Sequence, residues 1–188
     1  MSVSAIILAA GLSTRMGLDN KLLLPWNGST MIRQVLSAVQ AAHLSETIVV
    51  VGHDHDAVTQ EIQDFSPLVV FNPEYSNGIG GSIARGVAAA SPEAEGYLII
   101  LSDMPFVSSE LLNVLLSRSR SDVIAYPTFL GNQRNPVFFG SKFRDELTGL
   151  HGNMGARSII GRYPEAHVVV PCEDELCFVD LDTPESFR

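Results

Sequence analysis

The sequence is poor in cysteine and has no long apolar run, and each shortage excludes a class of protein. Cys172 and Cys177 are the only 2 cysteines among 188 residues. Two thiols without further ligands do not make a zinc site, so we interpret them as ordinary packed or surface thiols. No apolar run reaches the length of a membrane span, and no signal peptide precedes the first predicted strand. We therefore expect a cytoplasmic protein that does not enter a membrane.

Positive charge is also scarce in this chain. The 12 lysines and arginines are outnumbered by 21 acidic residues, which gives a formal net charge of −9. This balance argues against a general nucleic-acid surface, although a few local cations can still hold a small anionic ligand. The length suits one domain spanning residues 1–188, and a hydrophobic content of 46% is typical of a globular chain.

Two common phosphate-binding motifs are absent from the opening stretch ILAAGLSTRMGLDNKLLLPW, residues 7–26. Gly11 and Gly17 do not form G-x-G-x-x-G, and Lys21 lies too far beyond Gly17 for G-x-x-x-x-G-K-[ST]. The stretch nevertheless keeps the physical elements of both motifs. Small residues let backbone N–H groups approach an anion, and Arg15 and Lys21 add positive charge. The loop therefore predicts phosphate binding, and the alternative is a turn with two solvated cations.

The hydrophobic pattern predicts an α/β fold in which buried strands alternate with helices. Continuous rather than alternating hydrophobicity in the strands indicates a mainly parallel central sheet covered on both faces, which is a three-layer arrangement. Ligands of such sheets gather at the carboxyl ends of the strands. The predicted strands are 4–9, 47–51, 68–71, 97–101, 123–127, 137–139, 167–170 and 177–181, and the predicted helices are 30–42, 55–64, 82–90, 108–118 and 155–162.

A carboxylate follows the fourth predicted strand in LIILSDMPF, residues 98–106. Asp103 comes two residues after the strand, at the edge where the phosphate loop is expected. Magnesium in proteins usually takes one or two carboxylates together with substrate phosphates, so Asp103 is a candidate Mg²⁺ ligand. The alternative is an Asx-turn or a cap at the entry to the next helix.

A second pair of carboxylates lies near the end of the chain in CFVDLDTPESF, residues 177–187. Asp180 and Asp182 are two apart, so on an extended chain both would face one side, and one could be a second metal ligand. The alternative is a polar loop in which Thr183-Pro184-Glu185 starts a terminal helix. The sequence HDHD, residues 53–56, is interpreted as a solvated turn and not as a metal cluster.

Seven segments, in chain order and spanning nearly the whole sequence, resemble the molybdenum-cofactor nucleotidyltransferases. They are AAGLSTRMG (9–17), Lys21 with Leu22–Pro25, NPEYSNGIGGSIARG (72–86), LSDMP (101–105), GNQRNPVFF (131–139), GNMGARSII (152–160) and DLDTPESF (180–187). The resemblance is closest to the cytidylyltransferase branch. It implies a Rossmann-like nucleotidyltransferase fold.

The resemblance also implies a reaction. The terminal phosphate of molybdopterin would attack the α-phosphorus of CTP, so that pyrophosphate leaves and a dinucleotide form of the cofactor remains. An attacking phosphate that is already ionised needs no general base. The sequence agrees with this expectation, because it has 5 histidines but no convincing Ser-His-Asp or Cys-His arrangement.

The same resemblance assigns roles to individual residues. The expected catalytic residues are Arg15, Lys21 and Asp103. The expected nucleotide-binding residues are Leu8, Ala9, Ala10, Gly11, Arg15, Lys21, Gly78 and Ser82. The expected Mg²⁺ ligands are Asp103 and Asp182, and the expected acceptor-binding residues are Asn135, Pro136, Gly155 and Arg157.

Base choice and acceptor identity depend on finer differences within the family. The guanylyltransferases typically have Ala-Gly-Gly where this chain has Ala9-Ala10-Gly11, and the methyl group of Ala10 would occupy space that a purine needs, so we expect CTP rather than GTP. Between Arg15 and Lys21 the chain is one residue longer than the family's usual spacing, and Asn153 stands where the family usually has Asp.

Four other functions stay open at this point. They are a related nucleotidyltransferase that uses GTP, one that uses a different phosphorylated acceptor, a nucleotide-binding dehydrogenase, and a non-catalytic carrier or chaperone of the cofactor. A molybdoenzyme or its chaperone is a possible protein partner under the molybdenum-cofactor hypotheses.

Overall fold

The computed structural model describes residues 1–12 and 20–178. The strands in these ranges are β1 Val3–Ala9, β2 Pro25–Trp26, β3 Ser29–Thr30, β4 Glu46–Val51, β5 Leu68–Phe71, β6 Gly96–Leu101, β7 Ile124–Phe129, β8 Asn132–Gln133, β9 Val137–Gly140 and β10 His167–Pro171. The α-helices are α1 Met31–Ala41, α2 His55–Glu61, α3 Ile79–Ala89, α4 Ser109–Ser117, α5 Arg144–Thr148 and α6 Arg157–Ile160.

An eight-stranded sheet forms the centre of the molecule, with strand order β10-β7-β9-β6-β1-β4-β5 and with β8 paired to β7. β1 pairs in parallel with both β4 and β6, β4 pairs in parallel with β5, and β10 pairs in parallel with β7. The prediction of a mainly parallel sheet is therefore confirmed. β9 differs, because it runs antiparallel to both of its neighbours. Residues 130–136 are too few for a parallel crossover, so the chain turns back on itself there.

Helices cover both faces of this sheet, as the three-layer prediction requires. Alternate residues of β1 point to opposite faces, so that Ile7 packs with α1, α2 and α4 while Ile6 packs with α3, α5 and α6. Val35 of α1 and Leu112 of α4 are buried on the first face, and Ile83 of α3 is buried on the second.

Some helix boundaries differ from the predicted ones. α3 begins three residues earlier than predicted, at Ile79, and α2 is followed by a 3-10 turn at Gln63–Phe65 instead of continuing. The short helix α5 was not predicted. The predicted strand 177–181 is wrong in its described part, because Leu176–Phe178 form a 3-10 turn. Within the described ranges, no helix combines the length and the apolar character needed to cross a membrane.

Candidate functional site

The order of the strands reverses between β1 and β6. From β1 the chain proceeds to β4 and then β5 on one side, whereas β6 lies on the other side of β1. In open α/β sheets, ligands bind outside the carboxyl ends of the strands at such a reversal. The candidate site therefore lies where the chain leaves β1 and β6 at this edge.

The carboxyl end of β1 is a buried, small-residue segment tied to the end of β6. Leu8, Ala9 and Ala10 are buried, and the chain becomes exposed at Gly11. The hydroxyl of Ser102 donates a hydrogen bond to the carbonyl oxygen of Leu8 over 2.6 Å. This bond holds the two strand ends in register where the phosphate loop begins. Arg15 lies outside the described residues, so its role stays a prediction.

Lys21 and Asp103 meet at this edge, although they are 82 residues apart in sequence. The Nζ of Lys21 donates to Oδ2 of Asp103 over 2.7 Å, with side-chain exposures of 14% for the lysine and 23% for the aspartate. A charge-assisted hydrogen bond between partly buried groups is stronger than a surface pair. The pair brings together one predicted phosphate-binding residue and one predicted metal ligand.

Local structure explains how Lys21 reaches Asp103. Asn20 caps the 3-10 turn Lys21–Leu23, because its Oδ1 accepts a hydrogen bond from the backbone N–H of Leu22, whose side chain is buried in the core. The next residues form the short hairpin β2–β3 through Asn27-Gly28, both with positive φ, as a two-residue hairpin turn requires. Trp26 of this hairpin packs edge-on against Phe106, with ring centroids 5.8 Å apart.

One oxygen of Asp103 is left over after the pair with Lys21. Its Oδ1 is buried and has no hydrogen-bond partner within the described ranges. An unpaired buried carboxylate oxygen is costly, and carboxylate oxygen is the ligand type that Mg²⁺ prefers. Asp103 therefore fits the predicted metal ion. Asp182, the second predicted ligand, lies outside the described residues, so its role stays a prediction.

A second polar cluster lies at the carboxyl end of β5, around the predicted nucleotide residues Gly78 and Ser82. Asn72 is fully buried, and its Nδ2 donates to the Ser82 hydroxyl over 3.0 Å. Its Oδ1 accepts from the Nε of Arg85 over 3.0 Å. Asn72 thus fixes Ser82 in the first turns of α3. The sequence analysis did not assign a role to Asn72, although its place directly after a predicted strand was a signal for one.

The predicted acceptor residues fall into two groups in the structure. Asn135 and Pro136, joined by a cis peptide bond, directly precede β9 and so lie beside the end of β6. Gly155 and Arg157 belong instead to the chain that packs on the start of α3, where the N–H of Gly80 donates to the carbonyl of Gly152 over 2.9 Å. The second group is therefore next to Gly78, which the sequence analysis assigned to the nucleotide.

The HDHD segment and the cysteines form no site in the described part of the chain. His53 pairs with Asp54 and His55 with Asp56, and these side chains are partly or largely exposed. The turn prediction is wrong for His55 and Asp56, because these residues begin α2. Among the described residues, no group of three or more His, Cys, Asp or Glu could hold a metal ion. Both cysteines are free thiols, and burial raises the pKa of Cys177 to about 11.

Comparison with known families and proteins shows what this chain is similar to. The MobA-like NTP transferase domain matches residues 5–168. The chain is 32% identical to the purine catabolism protein PucB of Bacillus subtilis, over 97% of this chain and 92% of PucB. It is 28% identical to nicotine blue oxidoreductase of Paenarthrobacter nicotinovorans, over 97% of this chain and 93% of that protein. It is also 30% identical to a probable molybdenum cofactor guanylyltransferase of Bacillus cereus, over 72% of this chain and 66% of that protein.

Solved structures agree on the fold. A nucleotidyl transferase from Methanothermobacter thermautotrophicus superposes with a TM-score of 0.86 at 25% identity, covering 99% of this chain and 94% of the other. The prediction of a Rossmann-like nucleotidyltransferase fold is confirmed.

Proposed function

This chain belongs to the MobA-like NTP transferase domain family, and we propose that it transfers CMP from CTP to the terminal phosphate of molybdopterin. Pyrophosphate is the second product. The broader activity, nucleotidyl transfer, follows from the family and from the structural neighbours. The identities of the base and of the acceptor are the proposed part.

The observation that carries the proposal is the Lys21–Asp103 pair at the reversal of strand order. Nucleotidyl transfer needs little covalent chemistry from the protein, and it depends on positioning and on neutralising charge. Lys21 supplies a compact positive charge for the triphosphate, and Asp103 has a buried oxygen free for Mg²⁺. Bound Mg²⁺ would neutralise charge on the phosphate oxygens. Arg15 and Asp182 are proposed to complete the triphosphate and metal contacts.

The proposed acceptor is supported by the relative named a probable molybdenum cofactor guanylyltransferase and by the seven segments that resemble that family. The ionised phosphate of such an acceptor is itself the nucleophile. The protein therefore has to align it with the α-phosphorus and exclude water, and no side chain has to remove a proton.

The preference for CTP is supported by Ala10. Its side chain is buried, and a Cβ added at Gly52 would lie 2.9 Å from the Cβ of Ala10. The methyl group of Ala10 therefore fills the space between the ends of β1 and β4, where a glycine would leave room. A single methyl group discriminates by only about 10–200-fold, so we expect a preference and not an absolute exclusion.

The deciding experiment measures pyrophosphate release from CTP, GTP, ATP and UTP, each with molybdopterin and with other phosphorylated acceptors, in the presence and absence of Mg²⁺. We expect release with CTP and molybdopterin only when Mg²⁺ is present, and a rise in GTP use in Ala10→Gly. Equal use of GTP by the unmodified protein would overturn the base assignment. Release with another acceptor but not with molybdopterin would overturn the acceptor.

A second candidate function is oxidoreduction, because nicotine blue oxidoreductase is among the nearly full-length relatives. The opening loop lacks the G-x-G-x-x-G fingerprint of dinucleotide-binding sheets, which argues against a tightly held nicotinamide cofactor. Titration with NADH, followed by its fluorescence, separates the two functions. Saturable NADH binding together with absence of pyrophosphate release would favour the oxidoreductase.

A further inference from the structure

Two buried polar atoms of opposite charge lack partners at the same edge of the sheet. One is Oδ1 of Asp103, and the other is Nε of Arg134. Neither atom has a hydrogen bond within the described ranges, and the two residues are not paired with each other. A buried polar atom without a hydrogen bond destabilises the fold. If both residues served only the fold, an ion pair between them would be the simplest way to satisfy both atoms.

The strand register explains why these residues share an edge. The backbone N–H of Arg134 donates to the carbonyl of Pro127 over 2.9 Å, which fixes Arg134 beside the end of β7. Three residues later Val137 starts β9 opposite Ile99 of β6, and Asp103 follows the end of β6. Arg134 and Asp103 therefore both lie just outside a pair of neighbouring strands, at the same edge of the sheet. The Arg134 segment lies on the side of β6 away from β1 and its phosphate loop.

The state of Arg134 is unusual among the arginines that the structure describes. Five others bind carboxylates, carbonyls or hydroxyls, namely Arg33, Arg85, Arg120, Arg144 and Arg162. Arg118 and Arg157 have no such partner but are exposed, so water solvates them. Arg134 is partly buried, its Nε is shielded from water, and it has no acceptor in the described chain. A guanidinium held in this way is ready for an anionic ligand.

We propose that Arg134 binds the phosphomonoester group of the acceptor. This inference rests on the proposed nucleotidyl transfer and names a residue that the sequence analysis did not assign. A planar guanidinium can hold two phosphate oxygens at once, which fixes both the position and the orientation of the phosphate. The acceptor then enters from the β9 side of Asp103, while the triphosphate lies on the β1 side.

The transfer step balances with this arrangement. An unprotonated oxygen of the acceptor phosphate forms a bond to the α-phosphorus of the nucleotide. The bond between the α-phosphorus and the oxygen that bridges to the β-phosphate breaks, and pyrophosphate leaves with that electron pair. Arg134 keeps its proton throughout and acts by holding the attacking phosphate in line.

The kinetic test compares Arg134→Gln with a control, Arg118→Gln, which alters an exposed arginine at the end of α4. With saturating nucleotide, we expect Arg134→Gln to raise the KM for the acceptor roughly 10–100-fold, the range expected when bonds to a charged group are lost. The KM for the nucleotide should stay within about twofold, and Arg118→Gln should resemble the unmodified protein. An unchanged acceptor KM in Arg134→Gln would overturn the proposal.

A binding test does not depend on turnover and uses inorganic phosphate as the probe. Phosphate is titrated by calorimetry into two samples. The first is the full chain preloaded with Mg²⁺ and a non-hydrolysable CTP analogue, and the second is Lys21→Met without nucleotide. In both samples the triphosphate site should not compete for the added phosphate. We expect saturable binding that Arg134→Gln loses and Arg118→Gln keeps. Equal phosphate affinity in Arg134→Gln would overturn the proposal. Loss of binding without any pyrophosphate release by the unmodified protein would support the anion site and contradict the proposed function.

Thermal unfolding tests whether Arg134→Gln loses phosphate binding only because the variant is less stable. Because Nε of Arg134 has no partner among the described residues that the substitution would remove, Arg134→Gln should melt no lower than the unmodified protein. Phosphate should raise the melting temperature of the unmodified protein and not that of the variant. A stabilisation by phosphate that Arg134→Gln retains in full would contradict the proposal.

Discussion

The charged side chains at the two edges of the same sheet differ in whether their polar atoms have hydrogen-bond partners. At the amino edge, Arg144 donates to the hydroxyl of Tyr97 over 2.8 Å and to the carbonyls of Ser91 and Ala90 over 3.2 Å each. At the carboxyl edge, Arg134 and Asp103 each keep a buried polar atom that has no partner among the described residues. The difference indicates that the amino-edge charges stabilise the fold, whereas the carboxyl-edge charges await a ligand.

The acidic residues repeat this contrast. Asp64 accepts hydrogen bonds from Arg33 at both of its oxygens, over 2.8 Å and 2.6 Å, and this bonding lowers the pKa of its carboxyl group. Within the described ranges, Asp103 has an ion-pair partner at one oxygen only. Substitutions of paired residues outside the site should therefore affect stability, and substitutions at the carboxyl edge should affect activity.

The largest effect is expected from Asp103→Ala. Loss of the carboxylate removes the proposed metal ligand, and we expect pyrophosphate release to fall by ~10²–10³, by analogy with the loss of other charge-stabilising groups. Circular dichroism should show an intact fold. Asp64→Ala is the matched control, because it breaks a paired carboxylate outside the site and should leave the rate unchanged. Near-normal turnover in Asp103→Ala would remove its assignment as a metal ligand.

The opposite result is expected from Arg144→Met. Three hydrogen bonds are lost, and the hydroxyl of the fully buried Tyr97 loses its bond to Arg144. We expect the free energy of unfolding in urea to fall by about 1–3 kcal/mol. The rate of pyrophosphate release per folded molecule should not change. Arg134→Met, measured beside it, should show no such loss of stability, and equal destabilisation of both variants would contradict the contrast between the edges.

The sequence was sufficient to predict the sheet, the helix faces and the position of Asp103 at the carboxyl edge, because these follow from local patterns. Continuous apolar runs mark buried strands, and a carboxylate just after such a run falls at the ligand edge whatever the details of the fold. Alternation of strands and helices did not reveal that β9 runs backwards, since residues 137–139 are apolar in either direction. The shortness of the connection from β7 was the available signal.

The contacts of the two most informative polar residues of the site, Asn72 and Arg134, could not be predicted from the sequence in the same way. The place of Asn72 directly after a predicted strand marks it as a residue at the ligand edge, but the roles of both residues depend on burial. Asn72 forms hydrogen bonds with Ser82 and Arg85 from a fully buried position, and the buried Nε of Arg134 has no partner in the part of the chain that the structure describes. Both properties arise only when segments distant in sequence pack together. Hydrophobic periodicity carries no information about such contacts.

The smallest effect, and the sharpest test of the carboxyl edge, is expected from Lys21→Met. Lys21 both neutralises Asp103 and supplies charge for the triphosphate, so its loss should act in opposite directions on two ligands. We expect the affinity for the nucleotide to weaken about tenfold. Mn²⁺ alone should bind about tenfold more tightly, because the ion no longer competes with the ammonium group for the Asp103 carboxylate. Binding of Mn²⁺ is measured from the electron paramagnetic resonance signal of the free ion.

The matched control for this prediction is Lys142→Met, which alters the only other lysine of the chain, an exposed residue next to the amino edge. It should change neither affinity. Weaker binding of both ligands in Lys21→Met would mean that the variant has lost the local structure built by Asn20 and Leu22. Unchanged binding of both would mean that the ion pair with Asp103 has no part in the site, since its 2.7 Å contact would then be a feature of the fold alone.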